Sequence, residues 1–129
     1  MVEILPNLWR FEASHPEWDE SDDDWGPEVA WWAARTPDGL VLIDPLVEDW
    51  DLLDELVKAA GRCAAIIRTC WWHDRTIAEA RGRYGAEVWA GELSEGAPPL
   101  HLDHAVSDGE DLPGGLRSFD VVRDDEVGL

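Results

Sequence analysis

The stretch Ala64 to Arg75, A-A-I-I-R-T-C-W-W-H-D-R, constrains this chain most. A short apolar run ends at Arg68 and Thr69, a loop with two adjacent tryptophans follows, and Asp74 opens a segment of helical character reaching Tyr84. Strand, loop, helix N-terminus is where open α/β sheets gather their chemistry, because strand carboxyl ends and the positive end of a helix dipole converge there. The segments around it extend the pattern. Leu40 to Ile43 reads as a strand, Asp49 to Ala60 as a helix, Cys63 to Thr69 as a buried strand, Arg75 to Tyr84 as a helix and Glu87 to Ala90 as a strand. This alternation predicts βαβ units with right-handed crossovers, hence an α/β layer.

Helix Asp49–Ala60 carries Leu52, Leu53, Leu56, Val57 and Ala60 at helical spacing, with acids early and Gly61 as its stop. For the next helix, Asp74 is the expected N-cap and Gly85 the stop. Upstream, Glu28 to Arg35, the turn Thr36-Pro37-Asp38-Gly39 and Leu40 to Ile43 predict a β-hairpin. Val2 to Phe11 reads as a strand broken at Pro6-Asn7, or as two strands around that turn. Residues 12–26 crowd Asp19, Glu20, Asp22, Asp23 and Asp24 together, so like-charge repulsion predicts a solvated acidic loop. Downstream, Ser107 to Glu110 is an expected turn and Leu116 to Val122 an expected strand.

Around Thr69 the chain resembles the metal-binding segment of the metallo-β-lactamase superfamily, which reads Thr-His-x-His-x-Asp-His. Thr69 falls on the Thr and Asp74 on the Asp, while the histidine places fall on Cys70, Trp72 and Arg75, and His73 falls on a free place. Leu40 to Asp44 is similar to the family's early strand ending in Asp, a residue that supports the site there. The turn near Asp108 and Gly114-Gly115 resembles the one before the family's next ligand strand, but no Pro-Gly-His follows. The resemblance covers roughly Trp31 to Val122 and implies an α/β fold: a mixed sheet with helices, a half or truncated αββα sandwich in one domain spanning residues 1–129. A half-sandwich leaves a sheet face or edge to be covered, so a homodimer or a further C-terminal segment is expected.

The family's zinc chemistry needs about three ligands and an open place for water. An indole at Trp72 cannot ligate, and the permanent cation of Arg75 opposes a metal ion. A buried Arg75 is expected to pair with Asp74 or Asp44. The resemblance therefore implies a hydrolase relative without its metals, a binding or structural module with no cofactor. Its pocket candidates are Asp44, Cys70, Trp71, Trp72, His73, Asp74 and Arg75. Trp71 and Trp72 fill or gate the vacated pocket, or pack as core. The alternative is a divergent hydrolase holding zinc through Cys70, His73, Asp74, Asp125 and Glu126. A catalytic Cys70 would need a base, and His73 is the one close in sequence. His101 and His104 are expected to be exposed.

Twenty-nine acids against ten bases give a formal net charge of −19. Such a surface repels phosphate backbones and anionic membranes, so neither is an expected partner. No apolar run approaches the ~20 residues of a membrane span, and the N-terminus has no signal-peptide pattern. Cys63 and Cys70 flank one strand, roughly 20 Å apart at strand rise, beyond disulfide reach. A reducing cytoplasm is the expected location.

Overall fold

The structure, a computed structural model, describes residues 1–22, 25–70, 73–91 and 102–118. Seven strands form one mixed sheet in chain order: β1 Val2–Leu5, β2 Leu8–Ser14, β3 Glu28–Thr36, β4 Gly39–Ile43, β5 Cys63–Arg68, β6 Val88–Ala90 and β7 His104–Ala105. The pairs from β1 to β4 are antiparallel and those from β4 to β7 parallel. Helices α1, Trp50–Ala60, and α2, Ile77–Tyr84, make the crossovers between the parallel strands. The expected mixed α/β sheet, with the hairpin on one side and the βαβ strands on the other, is therefore present. Among the described residues no helix is long and apolar enough to cross a membrane.

Local chemistry explains most boundaries. Pro6-Asn7 splits the N-terminal segment into two strands, with Asn7 at φ 69°. Gly39 takes φ 128° at the β3–β4 turn, where a Cβ would meet the carbonyl oxygen of Arg62 at 2.7 Å. Asp49 caps α1 by accepting the N–H of Leu52 at 3.0 Å, and Gly61 closes the helix. The acidic loop begins later than expected, because Ala13 and Ser14 still pair with Val29 and Glu28 in the β2–β3 ladder. Strand β5 stops at Arg68, one residue early. The strand expected over Leu116–Val122 is β9, Leu116–Arg117, in a small hairpin with β8, Asp111–Leu112; residues 119–122 lie outside the described ones.

The start of α2 corrects the expected cap. The helix begins at Ile77, not Arg75, and Asp74 is not its N-cap. Thr76 holds that position without a side-chain cap bond, because its hydroxyl donates to the carbonyl of Pro45 at 3.0 Å and accepts from Val47 N–H at 3.0 Å. The helix start is thus tied to the segment after β4.

Leu53, Ile77 and Ala80 pack from the helices onto Leu40, Leu42, Ile66 and Val88, joined by Phe11, Trp31 and Ala33. Burying each large aliphatic side chain contributes about 1.5–3 kcal/mol. The opposite face carries a row running across the whole sheet, in which Val2, Arg10, Trp32, Ile43, Ile67, Trp89 and His104 are successive cross-strand partners. The β8–β9 hairpin approaches this face at Thr36. Gly114, at its turn with φ 83°, comes so near that a Cβ would sit 2.6 Å from the Thr36 methyl. At the other margin, β1 is a sheet edge, and Val2, Ile4 and Leu5 are 48–60% exposed.

Candidate functional site

Strands β4 and β5 run parallel, so their carboxyl ends deliver Asp44 and Thr69 to the same place. Asp44, 6% exposed, accepts the Thr69 N–H on Oδ1 at 2.7 Å and the Thr69 hydroxyl on Oδ2. The His73 ring brings Nδ1 to 3.0 Å from the same Oδ2. Backbone bonds fix this arrangement. Asp44 N–H donates to Ile67 at 2.8 Å and His73 N–H donates to the Cys70 carbonyl at 3.0 Å.

Two guanidinium groups complete the site. Arg68, with its side chain 2% exposed, donates from Nη1 to Asp74 Oδ1 at 2.6 Å. Such a buried charge needs a partner, and Asp74 supplies it. This is why Asp74 is unavailable as a helix cap. Arg75 turns inward, and the expected carboxylate pairing is corrected: Nη1 donates to the carbonyl oxygens of Ala30 at 2.9 Å and Asp44 at 2.7 Å. Its Nε is buried without a hydrogen-bond partner among the described residues. Burial pulls the Arg75 pKa below its usual value, with Asp44 and Cys70 opposing that shift.

The backbone is strained at the same spot. Asp44 and Arg75 adopt left-handed φ values of 50° and 43°, a region that side chains other than Gly enter rarely. Such conformations persist where surrounding contacts over-determine them, and they gather at functional sites.

The pocket candidates Asp44, Cys70, His73, Asp74 and Arg75 therefore meet around two strand ends. Trp71, Trp72, Asp125, Glu126 and His101 lie outside the described residues. His104 sits apart, stacked on Trp89 at 3.8 Å and 2.9 Å from Glu87. The sequence reading did not single out His15, from the segment after β2. Burial lowers its pKa, and the nearby Arg75 guanidinium adds to the shift against the pull of Glu17. Its ring meets Trp25 edge-on at 5.1 Å. Arg68 was also missed as a site residue; an Arg closing a buried strand was the available signal.

The donor set fits a metal ion poorly. Asp74 is bound to Arg68, Asp44 is bound to Thr69, and the cation of Arg75 lies alongside. Among the described residues no three of His, Cys, Asp and Glu converge as ligands would. Cys63 and Cys70 are not joined in a disulfide.

No family model and no curated protein matches the sequence. Solved structures do match the fold. A metallo-beta-lactamase from Cronobacter sakazakii, described by a HARLDQ motif, matches with TM-score 0.58 at 19% identity, covering 88% of this chain and 50% of that one. A mutant of that motif matches with TM-score 0.58 at 20% identity and the same coverage. A subclass B3 metallo-beta-lactamase of Bradyrhizobium japonicum gives TM-score 0.49 at 22% identity, covering 67% of this chain and 42% of that one. This chain spans about half the length of the Cronobacter chains it matches.

Proposed function

We propose that this chain, which has the metallo-β-lactamase fold, is a metal-free binding or structural module of hydrolase descent. The observation that carries the reading is the guanidinium of Arg75, lodged between the carbonyl oxygens of Ala30 and Asp44. It joins β3, β4 and the approach to α2, a cross-linking task for which a bound cation would otherwise serve. Arg68 supports the same reading by holding Asp74, the one acid on which the resemblance places a metal ligand. A metal ion brought here would have to displace two permanent cations from hydrogen-bonded places, and each unpaired partner would then cost about 1–3 kcal/mol. The alternative, replacement ligands at Cys70, His73 and Asp74 with zinc, requires that displacement.

The test is elemental analysis of protein purified without chelator, together with thermal melts in added zinc and in chelator. Metal well below one equivalent and melts that neither additive moves are expected. Stoichiometric zinc, iron or manganese, with a melting point that falls on chelation, would overturn the proposal in favour of a metal-dependent hydrolase.

A further inference from the structure

A cleft of about 290 Å³ opens on the sheet face opposite α1 and α2, at the carboxyl ends of β4, β5 and β6. Ile43, Ile67 and Trp89 form its floor, as three consecutive partners of the cross-sheet row. Leu112 and Leu116, from the β8–β9 hairpin, and Arg117 beside them wall it. Its size is at the small end of ligand pockets, which run to about 300–1,000 Å³. The Trp89 indole is stacked on His104 at 3.8 Å, and the His104 imidazole lies 2.9 Å from Glu87.

Two of the described residues that line the cleft, Arg68 and Arg117, are arginines. The charge of Arg68 is matched by Asp74, whereas exposed Arg117, the cross-strand partner of Asp111, donates Nε–H to the Gly109 carbonyl at 3.1 Å and makes no ion pair among the described residues. A flat apolar floor beneath one guanidinium selects for a molecule that is apolar in body and negative at one end. The acidic exterior repels the same molecule elsewhere, which concentrates binding at this place.

We infer that this cleft is a binding site for a small organic anion with a flat apolar body, such as an arylcarboxylate. The inference rests on reading the chain as a binding module and gives that module its ligand class. The test is calorimetric titration of the full chain with 2-naphthoate and with its neutral amide. The carboxylate is expected to bind one per chain and the amide at least tenfold more weakly. Arg117→Gln, an exposed exchange that leaves the core intact, is expected to cost the carboxylate at least tenfold and the amide nothing. Trp89→Ala is expected to weaken both, with circular dichroism and the melting point reporting that the variant is folded. Equal affinities for acid and amide, indifference to Arg117→Gln, or no binding would overturn the site. Metal content reads the module proposal independently, so the two fail separately.

Discussion

Arg75 and Asp44 hold each other in left-handed backbone conformations: Arg75 Nη1 donates to the Asp44 carbonyl at 2.7 Å, and the two φ values are 43° and 50°. Removing the guanidinium leaves two carbonyls without their shared donor. Arg75→Met is therefore expected to destabilise the fold by about 1–3 kcal/mol. Arg75→Lys should recover only part of this, because an ammonium lacks the planar fork that spans both oxygens. Urea denaturation of the three proteins measures it.

Asp44 separates charge from backbone. Asn tolerates left-handed φ at least as well as Asp, so Asp44→Asn keeps the conformation and removes the carboxylate facing Thr69 and His73. A loss of about 1.5–3 kcal/mol is expected, the range for hydrogen bonds to charged groups. Asp44→Ala, which also loses both acceptors and fits the backbone worse, should cost more. Equal midpoints for Asn and Ala in chemical denaturation would contradict this.

The two thiols should differ sharply in reactivity. Burial pushes the Cys63 pKa up to about 11, and the thiolate is the reactive form. Cys70 lies half-buried at the site. Titration with a chromogenic disulfide at pH 8 is expected to modify one thiol per native chain, and two after unfolding.

Stability against pH should show a plateau set in part by the contacts between α1 and α2. Arg83 first, then the Tyr84 hydroxyl, hold the Asp54 carboxyl down from 3.8 to about 2. A lowered folded pKa means that this stabilisation is complete above pH ~4 and lost as pH falls towards 2. Tyr84 is shifted the other way, raised by burial first and then by Asp54, so its contribution is present below its ordinary value of 10.0 and fades at higher pH. Arg83→Gln should flatten the acid limb, and melting temperatures across pH 2–5 for both proteins check it.

Elements whose signals are local were legible in the sequence: the Pro37-Asp38 hairpin turn, the Leu stripe of α1, and the glycine stops at Gly61 and Gly85. The error at α2 has a tertiary cause. Asp74 has the right residue type for a cap, but the helix starts two residues further on, with Thr76 tied to the segment after β4, and buried Arg68 takes the Asp74 carboxylate. The site was half visible for the same reason. Asp44 and the Cys70–Arg75 segment carry a motif frame, whereas the Ala30 carbonyl that receives Arg75 is a backbone atom with no letter of its own. His15 was hidden inside a run read for its acids. The cleft was not visible, because Ile43, Trp89, Leu112 and Arg117 come from separate segments that only the sheet register aligns.

Strand β1 has β2 on one side and no sheet neighbour on the other among the described residues, and its Val2, Ile4 and Leu5 face solvent. Its outer amides and carbonyls are a template for any extended peptide, and at high protein concentration they invite strand-by-strand growth into fibrils. Glu3, in the middle of that edge, sets like charges against each other and so opposes such growth.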